Sequence, residues 1–148
     1  FMSLKARLME DMKAAMKEKD TVRKNAIQMV RAAILQVEKD QRIELDEEGI
    51  LEVILKEVKK FKSALAEIEK SNRQDIIEDS KREIGILMNY LPKQLSDEEL
   101  EEIINEVISD IGAATMKDMG KIIKAAASKV KGRADNGRIS KIVKEKLK

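Results

Sequence analysis

Apolar side chains recur three or four positions apart along almost the whole chain, which is the spacing of one face of an α-helix. The longest run follows Asp46 and extends from Ile50 to Ile68. The 148 residues include one proline and six glycines, so few positions interrupt the pattern. Aromatic residues make up only 2% of the chain, so any core must be aliphatic. The sequence therefore predicts an all-α protein.

Capping residues and breakers divide this pattern into seven predicted helices. Six of the helices are predicted to start at Ser3, Asp20, Asp46, Ser96, Thr115 and Asp135. The fourth helix is predicted to start after Ser71 and Asn72. Pro92 ends the fourth helix, and Ser96 with Glu99 forms a capping box for the fifth. We therefore predict an N-terminal domain of about four helices over residues 2–95 and a C-terminal three-helix domain over residues 96–148.

The predicted C-terminal domain divides its charge unevenly. Residues 96–114 carry seven acidic side chains and no basic one, whereas residues 115–148 carry eleven basic and three acidic side chains. The net charge of +2 for the whole chain hides this contrast. Three interpretations remain open: the basic segment attracts a polyanion, the acidic fifth helix neutralises it within the domain, or its lysines form an ordinary solvated helix face.

The turn before the predicted seventh helix is the candidate binding site. Such a turn can expose backbone N–H groups beside basic side chains, at the positive end of the next helix dipole. We expect Lys131 and Arg133 to be exposed there, and no nearby aromatic side chain offers base stacking. The candidate nucleic-acid-binding residues are Lys121, Lys129, Lys131, Gly132, Arg133, Arg138 and Lys141.

The composition argues against familiar catalytic sites. The chain has no histidine and no cysteine, which excludes a Ser-His-Asp relay, a thiol nucleophile and a zinc-thiolate site. Acidic pairs such as Glu98 with Glu102 lie at predicted helix N-termini, where dipole compensation accounts for them. Residues 132–137 contain glycine but lack the Gly-Lys-Ser/Thr ending of a P-loop. We predict no catalytic residue, no metal and no cofactor.

No segment resembles a signal peptide or a membrane span. The N-terminal region is interrupted by charged residues, and no uncharged run approaches the roughly 20 residues that cross a bilayer. We therefore expect a cytoplasmic protein without a membrane partner.

Several motifs resemble those of the YqeY family of small bacterial proteins. They are YLPKQLS at residues 90–96, EEL at 98–100, DMGK at 118–121 and KGRAD at 131–135. Asn136 stands where the family turn has glycine, and Gly137 follows it. The family is named together with GatB, the B subunit of the tRNA-dependent amidotransferase, whose C-terminal part is similar to it.

The resemblance implies a two-part all-α fold, and in the amidotransferase the region similar to it helps to hold the tRNA. It also implies the label of carbon–nitrogen ligase activity with glutamine as amido-N donor, by association alone. Our leading interpretation is a non-catalytic tRNA-binding or accessory module, acting beside an amidotransferase or an aminoacyl-tRNA synthetase. The alternative is a helical protein-interaction adaptor that does not bind nucleic acid. A carboxylate-based enzyme requires a cleft that gathers several acidic residues with perturbed pKa values.

Overall fold

The computed structural model describes residues 2–112 and 115–147; Lys148, counted in the basic segment, lies outside them. The described residues form seven α-helices and contain no strand, so the prediction of an all-α protein is confirmed. The helices are α1 (Leu4–Lys17), α2 (Thr21–Gln41), α3 (Glu47–Ile68), α4 (Gln74–Met88), α5 (Asp97–Ile111), α6 (Met119–Val130) and α7 (Asn136–Lys146). No helix in these ranges is both long enough and apolar enough to cross a membrane.

Side-chain caps fix most of the helix starts, because they bond backbone N–H groups that the first turn leaves unpaired. The caps are Ser3, Asp20, Asp46, Ser96 and Asp135, and each accepts a hydrogen bond from the backbone N–H three residues later. Ser96 and Glu99 make both bonds of a capping box, at 3.1 and 3.0 Å. These five predicted starts are confirmed.

Two helix boundaries differ from the prediction. The sixth helix, predicted from Thr115, begins at Met119, because the residues Met116–Asp118 form a tighter 3₁₀ turn. The fourth helix ends at Met88, before Pro92. The chain after Met88 also forms a tighter turn, because the backbone N–H of Tyr90 donates to the carbonyl of Leu87, three residues earlier, at 3.1 Å. A residue before proline is disfavoured in helical conformation, so the helix ends early.

The chain forms two compact units, one up to Leu91 and one from Pro92 onward. The first unit contains α1 to α4. Its core is aliphatic, with Tyr90 as its one buried ring in the described residues. The largest fully buried side chains of this unit are Leu8, Ile27, Val30, Ile50, Ile54 and Leu87.

The second unit contains α5, α6 and α7 around a core of its own. The fully buried side chains of this unit include Leu100, Ile104, Ile122, Val130, Ile139 and Val143. The assignment of separate domains to residues 2–95 and 96–148 stays a prediction.

The segment before α5 holds the turn between α6 and α7. The backbone N–H of Leu95 donates to the carbonyl of Arg133 at 2.8 Å, and the Gln94 side-chain amide donates to the carbonyl of Gly132 at 2.9 Å. These bonds attach the turn to the start of α5. They therefore fix the position of the predicted binding residues within the second unit.

Candidate functional site

The acidic helix α5 binds part of the basic segment. Lys129 lies 3.1 Å from a carboxylate oxygen of Glu106 and 4.0 Å from one of Asp110. Lys146 pairs with Glu101 on the same helix. The acidic helix α5 therefore neutralises some of these cations, as one of the three open interpretations requires.

Arg138 ties the start of α7 to the start of α5. Its guanidinium donates to the carbonyl of Leu95 and to the carboxylate of Asp97, both at 2.8 Å. Its backbone N–H donates to the capping carboxylate of Asp135, also at 2.8 Å. A guanidinium with two acceptors in the fold is less available to a ligand. Arg138 therefore has a structural role here.

Arg133 folds back onto the end of α6. Its Nε donates to the carbonyl of Val130 at 3.1 Å, and its Nη2 to that of Lys129 at 3.4 Å. These carbonyls belong to the last turn, which has few helical partners and a partial negative charge. The side chain is half-buried, so the expectation that Arg133 is exposed is wrong. A basic side chain that directly follows a helix lies close to the unpaired carbonyls of the last turn and can donate hydrogen bonds to them.

The start of α7 is also less suited to a phosphate than predicted. Asp135 occupies the cap position, and its carboxylate bonds the N–H of Arg138. A phosphate at this helix end would therefore meet a negative charge. Lys131 and Gly132 both have left-handed backbone, with φ of 45° and 81°. Of the two basic residues predicted for the turn, only Lys131 is exposed.

Four exposed lysines lie on α6 or directly beside its ends, and we call them the lysine stripe: Lys117 in the preceding 3₁₀ turn, Lys121 and Lys124 on the helix, and Lys131 at its C-cap. Lys121 and Lys124 are three residues apart on the helix and therefore share one side of it. The core residues Ile122 and Ala126 lie on the opposite side. Among the described residues, none of the four lysines has a carboxylate oxygen within 4.0 Å.

Sequence reasoning missed two members of the lysine stripe. It named Lys121 and Lys131, but it placed the site in the turn and left out Lys117 and Lys124. The three-residue spacing of Lys121 and Lys124 was visible in the sequence and was the signal that could have found Lys124.

Lys141 lies apart from the stripe, on α7, beside an open cleft of about 500 Å³. The cleft is lined by Asp97, Glu101, Arg138, Lys141, Ile142, Glu145 and Lys146. Two of its three carboxylates are ion-paired, Asp97 with Arg138 and Glu101 with Lys146. Mixed and largely paired charge gives this cleft little attraction for either sign of ligand.

The carboxyl groups with lowered pKa values are engaged in structural contacts. Hydrogen bonding from Arg82 holds the pKa of Asp20 below its usual value. The backbone N–H of Ser96 does the same for Glu99. These two carboxyl groups take part in helix caps, and Glu38, the third with a lowered pKa, accepts a hydrogen bond from Lys5. The described residues contain no group of three or more Asp, Glu, His or Cys side chains that could hold a metal ion.

Tyr90, from the first motif of the resemblance, is buried in the first unit. Its hydroxyl donates to the carboxylate of Asp11, and burial, followed by this hydrogen bond, raises the pKa of the phenol. The Arg7 guanidinium lies 4.5 Å from the ring centroid, and Arg23 lies 3.6 Å from Asp11. These contacts tie the end of α4 to α1, so the motif residue Tyr90 is part of the fold's support.

Comparison with known proteins gives one family and several relatives. The sequence profile described as "Yqey-like protein" matches residues 5–147. A relative from Pyrenophora tritici-repentis, "Altered inheritance of mitochondria protein 41, mitochondrial", is 23% identical over 94% of this chain and 78% of its own length. Proteins of the same name from Kluyveromyces lactis and Lachancea thermotolerans are 36% and 31% identical over 72% of this chain. The matched region spans only 59% and 58% of those two relatives.

These relatives correct two expectations. The predicted cytoplasmic location is contradicted, because the relatives are named as mitochondrial proteins. The bacterial character that the resemblance implied conflicts with their fungal sources. The location was inferred from missing secretory and membrane-spanning patterns. Such patterns bear only on secretion and membrane insertion, so they could not identify a compartment inside the cell.

Proposed function

The chain belongs to the family of Yqey-like proteins, and from this premise we propose that it is a non-catalytic tRNA-binding or accessory module. The resemblance to the tail of the amidotransferase B subunit suggests tRNA as the ligand. The lysine stripe is the contact surface in this proposal. A tRNA-dependent amidotransferase or an aminoacyl-tRNA synthetase is the proposed protein partner.

The observation that carries the proposal is the unpaired charge of the lysine stripe. Four exposed ammonium groups on α6 and beside its ends, with no carboxylate within 4.0 Å in the described chain, keep their full attraction for an anion. A polyanion such as RNA gains affinity by releasing the counterions that its phosphates hold. Lysine binds phosphate as a point charge, so contact with the backbone needs no aromatic side chain.

The structure separates the seven predicted binding residues by their contacts. Lys121, Lys131 and Lys141 are exposed and have no acidic partner within 4.0 Å among the described residues, so we keep them as direct contacts. Gly132 contributes to the turn. Lys129, Arg133 and Arg138 form bonds within the second unit. In this proposal those three residues support the surface rather than bind the ligand.

The proposed module does not itself catalyse amide transfer. The chain has no cysteine for the usual glutaminase nucleophile and no histidine to activate a hydroxyl group. The carbon–nitrogen ligase activity that the resemblance implies would then belong to a larger assembly in which this chain binds the tRNA. Purified protein incubated with glutamine and misacylated tRNA should release no ammonia and form no amidated tRNA.

A filter-binding titration of the full chain against total tRNA tests the proposal. The logarithm of the affinity should fall linearly with the logarithm of the salt concentration, with a slope that reflects about three to six phosphates. The double variant Lys121→Gln with Lys124→Gln should flatten that slope by about one to two units.

A matched control separates the stripe from general positive charge. Lys59 and Lys62 on α3 are exposed and have the same three-residue spacing. Replacing both with Gln should leave the slope unchanged. Equal effects of the two double variants would place the contact elsewhere. A lack of salt-sensitive binding by the unchanged protein would favour the adaptor that does not bind nucleic acid.

A further inference from the structure

The face that α1 and α2 form in the first unit leaves apolar side chains exposed. Met9 and Leu35 line a groove of about 190 Å³ whose base includes Leu8 and Ile34. The exposed fractions of Met9 and Leu35 are 37% and 62%. Met16, at 57%, follows Met9 by seven residues and therefore continues the same side of α1. Exposed aliphatic side chains grouped in this way typically mark an interaction surface.

Lys5 lines the groove and is ion-paired, but three other cations on or beside the groove lack acidic partners among the described residues. Arg31 lines the groove, and its guanidinium donates to the sulfur of Met12 at 3.3 Å. Lys13 lies one turn after Met9, and Lys24 lies two turns before Arg31. None of these three cations has a carboxylate oxygen within 4.0 Å in the part of the chain that the structure describes.

The one carboxylate that lines the groove is already engaged. Glu38 accepts hydrogen bonds from the Lys5 ammonium group and, at 2.8 Å, from the backbone N–H of Leu45. The first of these bonds, from Lys5, holds the pKa of Glu38 below its usual value. The groove therefore combines an apolar floor with uncompensated positive charge on its flank.

We propose that this groove binds an acidic amphipathic helix of a partner protein. The groove between two packed helices can accept the apolar ridge of a third, and methionine adapts its shape to such a ridge. Acidic residues beside that ridge would then meet Lys13, Lys24 and Arg31. A second copy of this chain would instead bring the same three cations against one another. The groove belongs to the first unit, so the proposal does not depend on tRNA binding.

Two synthetic helical peptides of about 18 residues test the proposal against the full chain. Both carry the same leucine ridge, and its flanking positions are Glu in one peptide and Lys in the other. Fluorescence anisotropy should show that the Glu peptide binds at least about tenfold more tightly. Replacing Arg31 and Lys13 together with Gln should remove most of that preference and of its salt dependence.

A pair of variants on α2 tests the location. Leu35→Ser should weaken binding of the Glu peptide about fivefold or more, because it removes apolar contact at the groove. Met29→Ser is the control, since Met29 is 49% exposed on the same helix but about 120° away from Leu35. Both residues are exposed, so circular dichroism should show intact helices.

Three results would overturn the proposal. The first is equal binding of the two peptides, or equal effects of the two α2 variants. The second is co-sedimentation with phosphatidylserine vesicles that Leu35→Ser abolishes, without peptide binding, which would assign the groove to an anionic membrane surface. The third is a dimer in sedimentation velocity that Leu35→Ser dissociates, which would assign the groove to a second copy of the chain.

Discussion

At the scale of single residues, the contacts of a cation decide whether it can bind a ligand. Arg133 and Lys131 are two positions apart in the same turn, yet the first bonds the end of α6 and the second extends into solvent. Sequence reasoning treated them alike, because both are basic and both lie in the predicted turn. Which of the two folds back depends on the direction of the chain after the helix. The composition of the turn does not contain that information.

Arg133→Ala should lower the free energy of unfolding by about 1 kcal/mol, because two carbonyls at the end of α6 lose a charged donor. Urea denaturation measures this loss. Arg133→Lys should recover only part of it, since an ammonium group cannot reproduce the two-nitrogen geometry of the guanidinium. Equal stability of the alanine variant and the unchanged protein would contradict the structural role of Arg133.

Lys131→Gly should change stability and binding in opposite directions. Lys131 has a φ of 45°, which is unfavourable for a side chain and natural for glycine, so the substitution should raise the free energy of unfolding by up to about 1 kcal/mol. The same substitution removes one cation from the lysine stripe, so the salt slope for tRNA should fall by about one unit. Urea denaturation and the tRNA titration measure the two effects independently.

At the scale of helices, contacts between residues close in the sequence could be predicted, and contacts between residues far apart in the sequence could not. Asp20, Asp46 and Ser96 were found as caps because the residue and the N–H group it bonds are three positions apart. Asp20 also binds Arg82, which is 62 residues away, and no spacing rule connects that pair. The same limit applies to Arg138 and Asp97, whose pairing removed a predicted binding residue from the candidate surface. The position of Lys124 beside Lys121, in contrast, follows from helical spacing alone.

The pair of Asp20 and Arg82 should make the first unit sensitive to acid. The pKa of Asp20 is lowered in the folded state, mainly by hydrogen bonding from Arg82. Its contribution to stability is therefore complete above the unfolded value of about 3.9 and is lost as the pH falls through the folded value. Asp20→Asn keeps a capping side chain but removes the charge, so stability should depend less on pH between about 2 and 5.

Urea denaturation at several pH values, followed by circular dichroism, measures this dependence. Asp46→Asn is the matched control, because Asp46 also caps a helix but has no cation within 4.0 Å among the described residues. The control variant should retain the acid sensitivity of the unchanged protein. A similar loss of acid sensitivity in both variants would attribute the effect to capping rather than to Arg82.

At the scale of the whole molecule, the two units differ in charge and in the kind of surface they expose. The first unit is nearly neutral by sequence and presents an apolar groove between α1 and α2. The second unit contains an acidic helix, which pairs with three nearby cations, and a line of lysines that remains unpaired. The two proposals therefore assign an acidic protein helix to one unit and tRNA to the other. Variants in one surface should leave binding at the other unchanged.

The final prediction concerns whether the two units behave as separate domains. Ile54 and Ile122 are both fully buried, the first in the core of α1 to α4 and the second in the core of α5 to α7. An Ile→Val change at either position removes one buried methyl group and should cost about 1 kcal/mol. Hydrogen exchange followed by mass spectrometry should show protection falling about fivefold within the altered unit alone. A comparable loss in both units, from either variant, would show one cooperative domain instead of two, because separate cores would confine the effect.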